Sequence, residues 1–204
     1  RNETPSLIAN KAQQSIRFGT LTVSGRSVNM HPSPTKEAII YWQSPMEGRV
    51  KIKGFFADSD GVCGNGAAWR VELINRKGTS RLAAGVFDNG KRSDFAPAKA
   101  IAVQHGDLLK LVVNARDRNH VCDTTQVSLA VTDHGGKRRV WDLSQNVVDR
   151  VHDSNPLSDS FGNKSVWHFC SSTTEQTAQA NIPVGSTLAK WRAAVNGRKP
   201  AAEI

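Results

Sequence analysis

Tyrosine occurs once, methionine twice and cysteine three times in this 204-residue chain, and aromatic residues together make up only 6% of it. No apolar run comes near the roughly 18 residues that a membrane-spanning helix needs, so none is expected. Basic residues outnumber acidic ones by 27 to 18, a net charge of +9. Stacking of nucleic-acid bases, however, requires aromatics interleaved with the Lys and Arg. That interleaving is missing, because most Trp and Phe fall at inward strand positions, and nucleic acid is disfavoured as a partner. The charge supports a general attraction to acidic polymers or surfaces. No C-x-x-C or C-x-x-C-H spacing occurs, which removes structural zinc and covalent haem attachment from within the chain. G-x-S-x-G, H-E-x-x-H and a glycine-rich phosphate loop before a helix are also lacking. With the six histidines scattered, a non-catalytic role is expected.

What is present is a repeated strand pattern. Val50, Ile52, Gly54 and Phe56 alternate with Arg49, Lys51, Lys53 and Phe55, the period of a strand with one buried face. Leu109, Leu111 and Val113 repeat it, as do Val127, Leu129 and Val131 after a polar loop. Further strands are predicted over 17–23, 26–30, 38–43, 67–75, 80–87 and 98–104, parted by turn signals such as His31-Pro32-Ser33-Pro34 and Asp88-Asn89-Gly90. Short strands at this spacing predict an all-β fold, an antiparallel, jelly-roll-like β-sandwich.

The length suits one sandwich over 17–171 with a polar lead-in, 1–16, holding one helical turn around Leu7 to Gln14. Arg139 to Leu143 reads as another strand and 144–164 as a long polar connection. Ser165 to Cys170 reads as a strand closing the sheet beside the first one. Residues 172–204 read as a Thr-, Ser- and Gln-rich linker followed by a short C-terminal helix, Thr187 to Val195, capped by Ser186 and leading to a following domain. A start at Arg1, with neither methionine nor apolar leader, reads as a matured secreted chain or, in preference, a piece of a longer one.

Cys63 and Cys122 stand in corresponding loops, so a disulfide is feasible if both loops share one end of the sandwich; it would imply an oxidising compartment. The alternative is two thiols in a reducing cytoplasm. Cys170, in an apolar run, reads as a buried free thiol. Asp58, Asp60, Asn65, Asn119 and Asp123 flank the two loop cysteines and offer the oxygen ligands that calcium takes. The same residue types also bond their own backbone in turns, without any cation. For a sugar site the candidates are Phe55 beside Lys53, Trp141 with Arg139 close by, and Phe95. Trp42, Trp69 and Trp167 read as core.

The segments WQSPMEGRVKIKGFFADSD (from Trp42), CGNGAAWRVEL (from Cys63), VQHGDLLKLVV (from Val103), NHVCDTT (from Asn119), VWDL (from Val140) and SFGNKSVWHF (from Ser160) resemble a β-sandwich domain of large multidomain bacterial proteins, best represented among planctomycetes, that also carry c-type cytochrome domains. The likeness runs from about Leu21 to Trp191. It implies secretion or display in the cell envelope, a fold similar to carbohydrate-binding modules, and neighbouring redox or polymer-degrading domains; it implies no reaction for this domain. Members of that family usually carry an aromatic residue where Cys170 stands, in keeping with a core position.

Three functions follow as expectations. The leading one is a non-catalytic binding module for carbohydrate or an acidic polymer, outside the cytoplasm. The second is a docking domain that positions cytochrome or enzyme neighbours. The third is a polysaccharide hydrolase, which needs two carboxylates across a cleft; Asp58, Asp60 and Asp123 are the only local cluster.

Overall fold

Alternation of apolar and polar residues along the longest strands decides which face each sheet buries. The computed structural model describes residues 4–136 and 138–173, and the expected linker and C-terminal helix lie outside them, save the linker's first two residues. In chain order the strands are β1 (Ser6–Asn10), β2 (Ile16–Phe18), β3 (Leu21–Val23), β4 (Ser27–His31), β5 (Lys36–Gln43), β6 (Gly48–Asp58) and β7 (Ala67–Asn75). There follow β8 (Gly78–Val86), β9 (Arg92–Phe95), β10 (Ile101–Val103), β11 (Leu108–Ala115), β12 (Thr125–Asp133), β13 (Val140–Asp142), a short helix α1 (Leu143–Val147) and β14 (Trp167–Thr173).

Two antiparallel sheets form a β-sandwich. A seven-stranded sheet runs β1-β4-β12-β6-β10, with β13 also on β12 and β9 also on β6; a five-stranded sheet runs β14-β5-β11-β7-β8. Val50, Ile52 and Phe56 of β6 and Val127, Leu129 and Val131 of β12 share one core with Ile40 and Trp42 of β5, Leu109, Leu111 and Val113 of β11, and Val71 and Leu73 of β7. Phe56 stacks on Trp69 with ring centres 4.9 Å apart, and Phe95 packs 5.7 Å from Phe56. Gly54 makes room for that ring: a Cβ there would lie 2.0 Å from the Ser128 carbonyl oxygen and 2.7 Å from Phe95 Cζ. Trp42, Trp69 and Trp167 are buried, as expected.

Several expectations are corrected. Residues 6–10 form an edge strand paired with β4, not a helical turn. The single strand expected over 17–23 is a separate hairpin of β2 and β3. The connection 144–164 is polar on average yet buries Val147, Val148 and Leu157. It overlaps α1, whose N-cap Asp142 accepts the Gln145 N–H at 2.9 Å. The closing strand β14 lies beside β5, not beside the first strand. Cys170 is exposed rather than core. Alternation turns Trp167 and Phe169 toward the core, and therefore His168 and Cys170 away from it.

On the outer face of the five-stranded sheet, Arg70 of β7 reaches across β11 to grip Glu37 of β5 through two 2.8 Å bonds. Val112 of β11 stands in register between Arg70 and Ile39. Arg70 also bonds Glu72 at 3.0 Å, and Glu37 is only 2% exposed. Removing one partner leaves a buried charge unpaired, so Arg70→Ala is expected to lower the unfolding free energy by roughly 3–5 kcal/mol in urea denaturation. The double variant Arg70→Leu/Glu37→Leu should recover part of that loss; no recovery would mean the arginine matters through its packing alone.

Candidate functional site

Two places gather the chemistry-bearing side chains: the cysteine loops at one end, and the outer face of the seven-stranded sheet. The loop 59–66 crosses from β6 in the larger sheet to β7 in the smaller, and the loop 116–124 crosses back from β11 to β12. Cys63 and Cys122 are joined by a disulfide, with Cα atoms 5.6 Å apart. The loops touch directly, because Gly64, at φ +89°, has no side chain: a Cβ would stand 2.4 Å from the Val121 carbonyl oxygen.

The five oxygen-bearing residues expected near a cation are brought to this end and then part ways. Asp58 accepts the Asp60 N–H through Oδ1 (2.8 Å) and the Gly90 N–H through Oδ2 (2.7 Å). Asn119 Oδ1 accepts the Val121 N–H at 3.1 Å, an ordinary turn bond. Asn65 Nδ2 donates to the Arg116 carbonyl, and Arg116 Nη1 donates to the Asn65 carbonyl and to Asp88 Oδ1. Asp60 lies with Cys63 and Cys122 in the one group of three ligand-type side chains that closes to within 4.8 Å among the described residues. Sulfurs already joined as a disulfide offer no thiolate to a metal. Asp123 is the exception: it is 3% exposed, and among the described residues neither carboxylate oxygen receives a hydrogen bond. Burial, seconded by the charge of Asp58, pushes its carboxyl up to about 7.

Two histidines that the sequence did not single out border this end. His31 bonds Thr124 Oγ1 at 3.0 Å and meets His120 edge-on at 5.8 Å. Burial first, and His120 second, hold His31 below the ordinary histidine range. They lie far apart in the chain, so no local motif signals the pairing.

The second place is built by strand alternation. Arg49, Lys51 and Lys53 project in a row from the outer face of β6 and are exposed; Phe55 continues the row half-buried. Phe55 sits between Ser128 of β12 and Asp94 of β9. The Arg92 guanidinium lies 3.6 Å over its ring and holds Asp94 at 2.6 Å. Around Phe55 runs a groove of roughly 480 Å³, lined by Ser128 and Ala130 with Lys53 and Arg92. At the other end of the row, Arg49 borders a groove of roughly 560 Å³ with Arg76 and Lys77, where Glu47 and Asp107 are the acids.

The other sugar-site candidates are corrected. Trp141 is fully buried, packed 5.4 Å from Trp42, with its indole N–H given to Asp159 Oδ2 at 2.6 Å. It stands opposite Val131, an inward position of β12, so the same alternation that turns Phe55 outward buries Trp141. Arg139 lies 5.1 Å over the Trp141 ring and pairs with Asp133 at 3.8 Å, so it covers the indole instead of presenting it. Phe95 is buried. Comparison of the chain with protein-family models, curated proteins and solved structures gives no match.

The disulfide bridges a sequence separation of 59, for which the chain-entropy relation gives about 4 kcal/mol. Cys63→Ser/Cys122→Ser should lose stability of that order in chemical denaturation, and a loss near zero would show that the loops are held by packing alone. A second expectation concerns Asp123. Its folded-state pKa stands above the ordinary value of 3.8, so the fold carries no penalty below both values. Between them the unfolded chain releases the proton first, and stability falls as pH rises from about 4 to about 7, by up to about 4 kcal/mol, then levels off. With chelator present, Asp123→Asn should therefore be more stable than the parent at pH 8. The gap should shrink at pH 5; a gap that is equal at both would remove burial of the charge as its cause.

Proposed function

We propose that the chain is a non-catalytic binding module for an acidic polymer, a polysaccharide bearing carboxylates or sulfates, which lies along the outer face of the seven-stranded sheet. The observation that carries this reading is the row of Arg49, Lys51 and Lys53 on β6, exposed and, among the described residues, without an acidic partner within ion-pair distance. Outward residues of one strand recur about every 6.6–6.8 Å, so the three cations form a track some 13 Å long. The track joins the Arg76 and Lys77 groove at one end to the Phe55 and Arg92 groove at the other. An extended polyanion fits such a line better than a compact ligand does.

On this face of the sheet, two details favour binding over hydrolysis. The groove around Phe55 holds two carboxylates, and both are committed: Asp94 to Arg92, whose hydrogen bond holds it below the usual carboxylate range, and Asp142 to the N-terminus of α1. A general acid needs a carboxyl raised toward neutrality, and Asp94 is shifted the opposite way. The disulfide supports a location in an oxidising compartment outside the cytoplasm. Within an envelope protein of the kind the sequence resembles, the module would hold its neighbouring domains against a charged polymer.

The test is affinity for polygalacturonate and heparin, with dextran as the neutral control, by isothermal titration. Binding to the acidic polymers should weaken steeply with salt, because exposed charges are screened over about 8–10 Å at physiological ionic strength. Arg49→Ala/Lys51→Ala/Lys53→Ala should weaken it about tenfold or more, each exposed contact being worth up to about 1 kcal/mol, without moving the melting temperature. Equal affinity for dextran, or an undiminished triple variant, would sink the reading.

A further inference from the structure

We propose that the two loops joined by Cys63 and Cys122 bind one calcium ion, with the Asp123 carboxylate as its principal ligand and Asn65 Oδ1 and Asp58 supplying further oxygens. This goes beyond the polymer-binding reading and does not depend on it. One carboxylate at this junction lacks what buried carboxylates have. Asp123 is 3% exposed, and among the described residues both of its oxygens are without a donor, whereas buried charges are otherwise paired or bound to metals.

A second oxygen at the same junction is in the same condition. Asn65 gives its Nδ2 to the Arg116 carbonyl, which fixes the orientation of the amide and leaves Oδ1 buried without a donor among the described residues. Its neighbour Gly64 brings this loop against the carboxylate: a Cβ on Gly64 would lie 3.5 Å from Asp123 Oδ1. Asp58, on the strand that pairs with the start of β12, adds negative charge. Each of its oxygens accepts one backbone N–H, and a carboxylate oxygen has a second lone pair to offer.

The nearby cation does not meet this need. Arg116 is turned to the Asn65 carbonyl and to Asp88, and makes no hydrogen bond to Asp123. The chemistry of the donors selects the ion. Two carboxylates and an amide carbonyl are hard oxygen ligands in irregular loop backbone, the setting calcium accepts and magnesium, with its strict octahedron, does not favour. Zinc is a poor match, because the sulfurs at hand are oxidised to a disulfide and His31 is engaged with Thr124. Two of the five flanking residues drop out of the set: Asn119 is exposed at the surface of its turn, and Asp60 lies against the disulfide.

The test uses the whole chain stripped of metal with chelator, titrated with calcium chloride by calorimetry and followed by thermal melting. One saturable site with a dissociation constant on the order of 10⁻³ M or tighter is expected, and a melting midpoint that climbs as calcium rises past that value. Magnesium chloride at equal ionic strength should give a smaller rise. Asp123→Asn, which keeps the shape of the carboxylate, should remain folded and lose the calcium response; Asn65→Ala should weaken the affinity about tenfold. No heat and no shift in the parent would overturn the proposal, leaving Asp123 protonated or bridged by water. Equal shifts with calcium and magnesium, or a full response in Asp123→Asn, would overturn it as well. No polymer is present, so neither result bears on the sheet-face track.

Discussion

The Cys63–Cys122 bond ties together two chain crossings that are built largely of small and turn-forming residues. Each crossing carries the chain between the sheets at the same end, β6 to β7 and β11 to β12. The central strands of both sheets thus hang on one junction. In the chain-entropy picture such a bond acts mainly on the unfolded ensemble, by removing the freedom of the 59-residue separation it closes. Its local effect is different. It presses residues 63–65 against residues 121–123, a contact that only glycine at position 64 tolerates, and so withdraws the Asp123 carboxylate from water.

The two outer faces use charge in opposite ways. On the five-stranded sheet, Arg70, Lys110 and Arg81 converge on Glu37 and Glu72, so the basic groups there are engaged within the fold. On the seven-stranded sheet the β6 row meets small neighbours instead, with Ala130 opposite Lys53 and Thr132 opposite Lys51. Short side chains beside long cationic ones leave the ammonium groups in solvent and the space between them open. A face of this kind keeps its charge exposed to solvent.

Legibility in the sequence follows the range of the interaction behind each feature. Strand β7 is predicted over 67–75 and observed over the same residues, because alternation and flanking turn residues are local signals. The edge strand β1 is read as part of a helical turn, since its few residues carry too short a period to separate helix from strand, while β2 and β3 are read as one strand because only Gly19 and Thr20 part them. Cys170 escapes it for a related reason: an apolar run says that a strand is buried somewhere, while the phase of alternation decides which of its residues faces out. The polar flanks of Trp141 suggest a ligand platform, but its partner across β12 is an inward valine. The Glu37–Arg70 bridge spans three strands and leaves no mark in the sequence at all.

The class of fold, the inward and outward faces of the long strands, and the basic row on β6 are properties of the chain alone, because all three follow from a period of two along one segment. The pairing of Cys63 with Cys122 is in the sequence only as a condition on geometry. Closure of the two sheets settles that the loops meet, that Asp123 lies buried without a donor among the described residues while Asn119 and Asp58 bond backbone, and that the row on β6 joins two grooves. One cause underlies all of these. Solvation, ion pairing and shared ligands are set by the distances between residues far apart in the chain, and those distances come into being only when the sheets pack face to face.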